Sequence, residues 1–374
     1  MRKIRVLVVD DAVVVRRMVT DLLSADPDIE VVGTAANGRL ALAKLPQLTP
    51  DLVTLDIEMP EMDGLETLVG LRKAYPKLPV IMFSTLTERG AAATLEALAR
   101  GATDYVTKPA NVGSVTLAQA RIREELIPRI KALCAQVLPK PAVPVAAPRP
   151  VTSAPKLPLV PPRAGLPQRI DVVAIGVSTG GPNALAEVLP RLPGDFPVPI
   201  VIVQHMPPVF TRFLADRLSA ASQLAVKEAE DGVRLAPGTV WVAPGNFHMV
   251  LRKDAEGVRV VLNQDPPENS CRPAVDPLFR SVAQCYGERV LGVVLTGMGY
   301  DGLRGASEIR RGGGVMIAQD EATSVVWGMP GALVQNSQAD LVLPLARIAP
   351  ELAERALVGR LPLRMPVASP ALER

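Results

Sequence analysis

The chain of 374 residues is poor in aromatics, histidine and cysteine, and carries almost no net charge. Aromatic residues make up 3% of it while hydrophobic residues reach 48%, so any core must be aliphatic. Cys134, Cys271 and Cys285 form no CxxC pair and lack metal-ligand spacing, which argues against a zinc module or a disulfide framework. So sparse and odd a set fits a reducing compartment. A formal charge of +3, with no basic run beyond two or three residues, excludes a strongly basic nucleic-acid binder. The first apolar run is short and is broken by Asp10-Asp11, so it reads neither as a signal peptide nor as a membrane span. The expectation is a soluble, cytoplasmic, monomeric protein that binds no nucleic acid and does not insert into a membrane.

Proline is abundant, and it is concentrated. Ten of the 29 residues from Pro139 to Pro167 are proline. Proline has no amide donor and a fixed φ, so this stretch reads as a semi-rigid linker. The length favours two domains. The expected layout is a first domain over 1–125, a helix end and linker over 126–169, a second domain over 170–355 and a tail over 356–374.

Both expected domains alternate strand and helix. The first offers apolar strands at Arg5–Val9, Glu30–Ala35, Leu52–Asp56, Val80–Ser84 and Asp104–Thr107, with helical stretches between them. Five such units imply a parallel sheet covered on both faces. The second resumes the alternation at Val172–Gly176 and Ile200–Val203, and later at Val290–Leu295 and Val315–Ala318. Between them Thr239–Val242, Met249–Lys253 and Arg259–Leu262 read as short antiparallel strands. The fold class is therefore α/β: two doubly wound parallel-sheet domains, an N-terminal (βα)5 domain and a Rossmann-like C-terminal domain with an antiparallel β segment.

Ligands of such sheets bind at the carboxyl ends of the strands. In the first domain Asp10, Asp11, Asp56, Ser84 and Lys108 all fall there. Clustered carboxylates repel unless a cation sits among them, and oxygen ligands suit Mg²⁺. A carboxylate beside Mg²⁺ and a lysine can accept a phosphoryl group, because the cations stabilise the charge on the transferred oxygens. The stretches VLVVDD, LDIEMPEMDGLE, IMFSTLTERGA and GATDYVTKP resemble the receiver domain of bacterial response regulators. The resemblance implies Asp56 as phosphoacceptor. It implies Mg²⁺ held by Asp10, Asp11, Asp56 and the backbone of Glu58, and Ser84, Lys108 and the aromatic switch residue Tyr105 as sensors of the phosphoryl group.

In the second domain Gly176-Val177-Ser178-Thr179-Gly180-Gly181 follows one strand and precedes a helix. The motif alone admits a nucleophile turn, a phosphate loop or a plain turn. Of the two histidines, His205 lies just beyond the next strand and His248 enters the β-rich middle as the alternative base. Asp301 follows a third strand in a glycine-rich loop. Ser, His and Asp at three strand ends suggest a catalytic triad. In the usual logic Asp301 would hold one ring nitrogen of His205 and leave Nε2 free for the serine proton. The chain order Ser, His, Asp differs from that of the α/β-hydrolases and the serine proteases. No HGGG segment offers an oxyanion hole, so the amides near Thr179 and Met298 are the candidates. Arg272 is a candidate substrate contact.

The segments AIGVSTGGPNAL, VQHMPPVFTRFLADRL, VWVAPGNFHM, CRPAVDPLFRSVA, VLTGMGYDG and IAQDEATSVVWGMPGA resemble the catalytic domain of the chemotaxis protein-glutamate methylesterases. That resemblance implies a phosphorylation-activated serine hydrolase with Ser178, His205 and Asp301 as its triad and no cofactor in this domain. It implies removal of methyl esters from glutamates of methyl-accepting chemotaxis receptors, deamidation of certain glutamines, and a chemotaxis histidine kinase as phosphoryl donor. Val177 and Cys271 depart from the family's pattern, and neither is expected to touch the triad.

Overall fold

The computed structural model describes residues 2–108, 115–138 and 168–360. The proline-rich part of the expected linker and residues 361–374 of the expected tail lie outside them, while the start of that tail, Ala356 and Leu357, ends the last helix.

The first domain contains β1 (Ile4–Val9), α1 (Val13–Ser24), β2 (Ile29–Ala35), α2 (Gly38–Leu48), β3 (Leu52–Asp56), α3 (Gly64–Ala74), β4 (Val80–Ser84), α4 (Glu88–Ala99), β5 (Asp104–Thr107) and α5 (Val115–Leu133). Its five parallel strands run in the order β2-β1-β3-β4-β5. The chain order doubles back at β1, so the ends of β1 and β3 sit beside the switch point where ligands bind. Every residue of β3, β4 and β5 is buried, as strands covered on both faces require. Thr87 begins α4 by accepting the Gly90 amide, and Asp63 with Glu66 forms a capping box on α3.

The second domain contains β6 (Val172–Val177), α6 (Gly181–Val188), β7 (Ile200–Gln204), α7 (Phe210–Ala221), β8 (Ala225–Glu228), β9 (Thr239–Val242), β10 (His248–Asp254), β11 (Gly257–Asn263) and α8 (Val275–Tyr286). It continues through β12 (Val290–Val294), α9 (Leu303–Arg311), β13 (Val315–Gln319), α10 (Met329–Gln335), β14 (Leu341–Leu343) and α11 (Leu345–Leu357). Seven parallel strands run in the order β14-β13-β12-β6-β7-β9-β8. Only β10 and β11 are antiparallel, as a separate two-stranded ribbon. This corrects the expectation for Thr239–Val242: it pairs in parallel with β7 and β8 inside the main sheet. Its Val-Trp-Val run is buried throughout, which is the mark of an interior strand rather than a half-wet hairpin. Strands β8 and β14, at the two edges, are short and escaped the sequence reading.

The two sheets share one hydrophobic cluster. Leu95 and Tyr105 of the first domain belong to the same buried set as Phe210 and Leu214 of the second. No described helix is long and apolar enough to cross a membrane.

Candidate active site and phosphoacceptor site

Two rims carry the titratable groups. On the first, Asp10 and Asp56 are buried and Asp11 is exposed, and one oxygen from each lies within 4.8 Å of the others. Lys108 Nζ stands 2.7 Å from Asp56 and 3.0 Å from Asp10. A cleft of about 280 Å³ opens here between Asp11, Asp56, Glu58, Ser84 and Lys108. Burial pushes the Asp56 carboxyl up to about 6; Lys108 opposes that rise, and the neighbouring Asp10 adds to it. One ammonium among three carboxylates leaves the pocket short of positive charge. The donor set, all oxygen and partly open to solvent, fits a hard divalent ion. The side chain of Glu58 is turned to Arg89, 3.5 Å away.

Ser84 lines this cleft with its hydroxyl engaged elsewhere, and Tyr105 faces the second domain. The Ser84 hydroxyl donates to the Gly90 carbonyl at 3.0 Å and accepts from Thr94 at 2.6 Å, which ties it to the first turn of α4. Tyr105 is buried against the second domain, its ring stacked on Phe210 with centroids 5.2 Å apart and planes 7° from parallel. Around it Arg217 donates to the Leu95 carbonyl at 2.8 Å, Arg212 pairs with Glu88 at 2.5 Å, and Asn183 donates to the Ala102 carbonyl at 3.4 Å. Val326, with Met298 packed alongside, joins the first domain's own core. The receiver-like face formed by α4 therefore rests on α6 and α7, while the first domain's core packs on the loop that holds Met298.

On the second rim, register brings the expected residues together. Val177 pairs with Gln204 across β6 and β7, so Ser178 and His205 are the next residues on adjacent strands. The Gln204 amide donates to the carbonyls of both, at 3.0 and 3.1 Å. Strand β12 lies on the other side of β6 and leads into the Asp301 loop. Gly180 has φ +77°, and a Cβ there would stand 2.7 Å from Val325. A Cβ on Gly297 would stand 2.9 Å from that of Ser178. Only glycine lets these two loops close around the serine. The amides of Thr179 and Met298 donate to no acceptor among the described residues.

Asp301 Oδ2 is 2.8 Å from His205 Nε2. This reverses the expected arrangement, in which Nε2 was left for the serine. The aspartate holds Nε2, and Nδ1 is the nitrogen left to exchange a proton. That nitrogen stands 3.6 Å from the Cys271 sulfur. Cys271, expected to be remote, thus touches the histidine, because the loop before α8 folds over the ring. No bond joins Ser178 Oγ to either ring nitrogen among the described contacts. Burial works against a charge on His205, but the contacts with Cys271 and Asp301 outweigh it and raise its pKa. Asp301 is held below the usual carboxylate range despite its burial: His205 and the amides of Val275 and Asp276 favour its charge.

Three further placements differ from the sequence reading or extend it. Arg272, a candidate substrate contact, is partly exposed and ties its loop: it donates to Asn246 Oδ1 at 2.8 Å and to the carbonyls of Gln264 and Asp265 at 3.0 Å. His248 is buried between the Pro266 carbonyl and the Ala274 amide, too enclosed to serve as a base. Asn269, outside every motif, and Asp276, within the CRPAVDPLFRSVA segment but given no role, both meet the Asp301 cluster.

A family model described as CheB methylesterase matches residues 173–352, and one described as response regulator receiver domain matches residues 6–119. A protein-glutamate methylesterase/protein-glutamine glutaminase of Trichodesmium erythraeum is 52% identical over 95% of this chain and 99% of its own length. The chain belongs to this family. A second member, from a Nocardioides species, is 56% identical over 94% of this chain and 95% of its own. Among solved structures, the CheB methylesterase catalytic domain of Thermotoga maritima is 46% identical, covering 50% of this chain and 99% of that one, with a TM-score of 0.49. Family membership accounts for both rims, one matched by each family model.

Proposed function

We propose that this chain is a cytoplasmic, phosphorylation-activated serine esterase. Its substrates are glutamate methyl esters on chemoreceptors, and it also deamidates receptor glutamines, so that it resets receptor sensitivity during chemotactic adaptation. The observation that carries the proposal is the placement of Ser178 and His205 after paired residues of β6 and β7, with Asp301 bonded to the ring. In this reading Ser178 attacks the ester carbonyl and His205 accepts the hydroxyl proton at Nδ1. The same ring then returns a proton to the departing methanol. Asp301, at Nε2, orients the ring and stabilises its cation. The amides of Thr179 and Met298 hold the oxyanion, a contribution of roughly 3–4 kcal/mol for each donor lost. Water then frees the glutamate. For His205 to meet Ser178, Nδ1 must leave the Cys271 sulfur by a movement of the ring or its loop.

Control comes from the receiver. Asp56 is the proposed phosphoacceptor, with a chemotaxis histidine kinase as donor. Asp10, Asp11, Asp56 and the backbone of Glu58 would hold Mg²⁺, which supplies charge neutralisation for phosphoryl transfer. Lys108 pairs with the phosphoryl oxygens, and Ser84 turns from α4 toward them. The core of the receiver takes in Val326 with Met298 packed alongside, so its docking restrains the Met298 loop, one of the two that would stabilise the oxyanion. Phosphorylation shifts the population toward an undocked form.

The test is methanol release from methylated receptor membranes, with and without a small-molecule phosphoryl donor. Wild type should be stimulated, Asp56→Asn should not, and Ser178→Ala should be inactive. Full turnover by Ser178→Ala ends the serine mechanism, and unaltered stimulation of Asp56→Asn ends the proposed control.

A further inference from the structure

Asp301 is one of two carboxylates buried side by side. Asp276, in the first turn of α8, accepts the Gly305 amide at 2.7 Å on Oδ1. Burial raises its pKa, and the charge on Asp301 adds to that rise. Between the two acids stands one neutral group, the Asn269 amide, whose Nδ2 donates to Asp301 Oδ1 at 2.8 Å and to Asp276 Oδ2 at 3.0 Å. Carboxylates only accept, so the NH₂ end must face them, and its two hydrogens match two acceptors.

The backbone that delivers this amide is specialised. Glu268 and Cys271 form an isolated antiparallel bridge, exchanging bonds of 3.1 and 2.8 Å. The two residues between them, Asn269 and Ser270, have φ of +50° and +62°. Two consecutive positive φ values are the signature of a type I′ turn, whose first position favours Asn, Asp or Gly. Glu268 is clamped by Arg280, at 2.9 and 2.5 Å. One short turn thus sets Asn269 against the acid and Cys271 against the ring of the same histidine–aspartate pair. The amide is the feature that glycine lacks.

We propose that Asn269 is a positioning residue of the esterase reaction: its amide fixes the Asp301 carboxylate in the plane that orients His205, and keeps Asp276 from repelling it. The proposal rests on the Ser178–His205–Asp301 reading above. The charged and titratable groups facing Asp301 are His205 from the β7–α7 loop, Asp276 and Arg280 from α8, and Glu268 from the turn; Cys271 faces His205.

Asn269→Gly keeps the turn and removes the amide; Asn269→Asp keeps the shape and adds a third carboxylate. Both are compared with wild type as full-length protein, phosphoryl donor present, by methanol release across pH. Asn269→Gly should lower kcat on the order of tenfold with KM within about twofold, since the amide meets no substrate. Its rise in kcat with pH should move up by roughly 0.5–1 pH unit: an aspartate that loses a donor is more basic and holds the His205 proton harder. Asn269→Asp should move the same way and further. Should Asn269→Gly fail to fold, the pH shift of Asn269→Asp carries the test, because Asp also tolerates positive φ. Unchanged kcat, or a loss with the pH midpoint unmoved, overturns the proposal. Ser178→Ala, run alongside, separates the two readings: full turnover there overturns the triad and this proposal with it. An inactive Ser178→Ala beside an unaltered Asn269→Gly overturns the positioning role alone.

Discussion

Asp56 and Asp301 occupy equivalent places, each near the carboxyl end of a parallel strand, each buried, each bonded to a basic side chain. Their acidities diverge. Asp56 is pushed up to about 6, whereas Asp301 is held below the usual range. The difference lies in donors. Asp301 accepts from the amides of Val275, Asp276 and Gly302, from Asn269 and from His205. Asp56 has Lys108 and the Ile57 amide, with Asp10 pressing against it. A carboxylate fully supplied with donors is locked, and suits a group whose work is to orient another. One left short of positive charge is unsettled, and suits a group that must take on a metal ion and a phosphoryl group.

The contrast breaks most visibly at Asp301. Asp301→Asn should reduce phosphorylated activity on the order of 10³–10⁴-fold, because an amide leaves the His205 ring in the wrong tautomer. Methanol release measures it, and a loss under tenfold would mean that the carboxylate is not an orienting group. At Asp56 the removal of charge should help the fold. A group whose folded pKa is raised favours the folded state at low pH, and that advantage disappears as pH rises from about 4 through about 6. Asp56→Asn should therefore raise stability at pH 8 by about 1–2 kcal/mol relative to wild type, with the gain fading toward pH 5, as followed by urea unfolding. Mg²⁺ should stabilise wild type at pH 8, less at pH 5, and Asp56→Asn hardly at all. The wild-type activity should rise with pH through a midpoint above the ordinary imidazole value, since His205 must be neutral to act and its contacts with Cys271 and Asp301 outweigh burial and hold its proton. The smallest effect is expected at the domain contact. Arg217→Ala removes one bond to the Leu95 carbonyl and should raise unphosphorylated activity by about two- to tenfold. Unchanged basal activity would detach docking from control.

The strand ends were legible in the sequence because apolar runs fix where a parallel strand stops, and chemistry collects there. That suffices for Asp10, Asp56, Lys108, Ser178, His205 and Asp301. It does not reveal which ring nitrogen of His205 meets Asp301, since that depends on the path of a distant loop. It also misses Asn269 and Cys271, whose positions come from a two-residue turn with no strong glycine signal. Strand β9 was misassigned because its sequence neighbours β10 and β11 do form a ribbon, and four residues carry too little periodicity to separate the cases. Edge strands β8 and β14 are short and mixed in polarity. The contact of Tyr105 with Phe210 joins residues 105 positions apart, and no local pattern announces it.

The central claim is that His205, oriented by Asp301, activates Ser178. Reaction with a fluorophosphonate, followed by peptide mass mapping, tests it directly. The account predicts a single adduct on Ser178 in wild type, strongly slowed in both His205→Ala and Asp301→Asn. Labelling of another residue, or equal labelling of Ser178 in all three proteins, would contradict it.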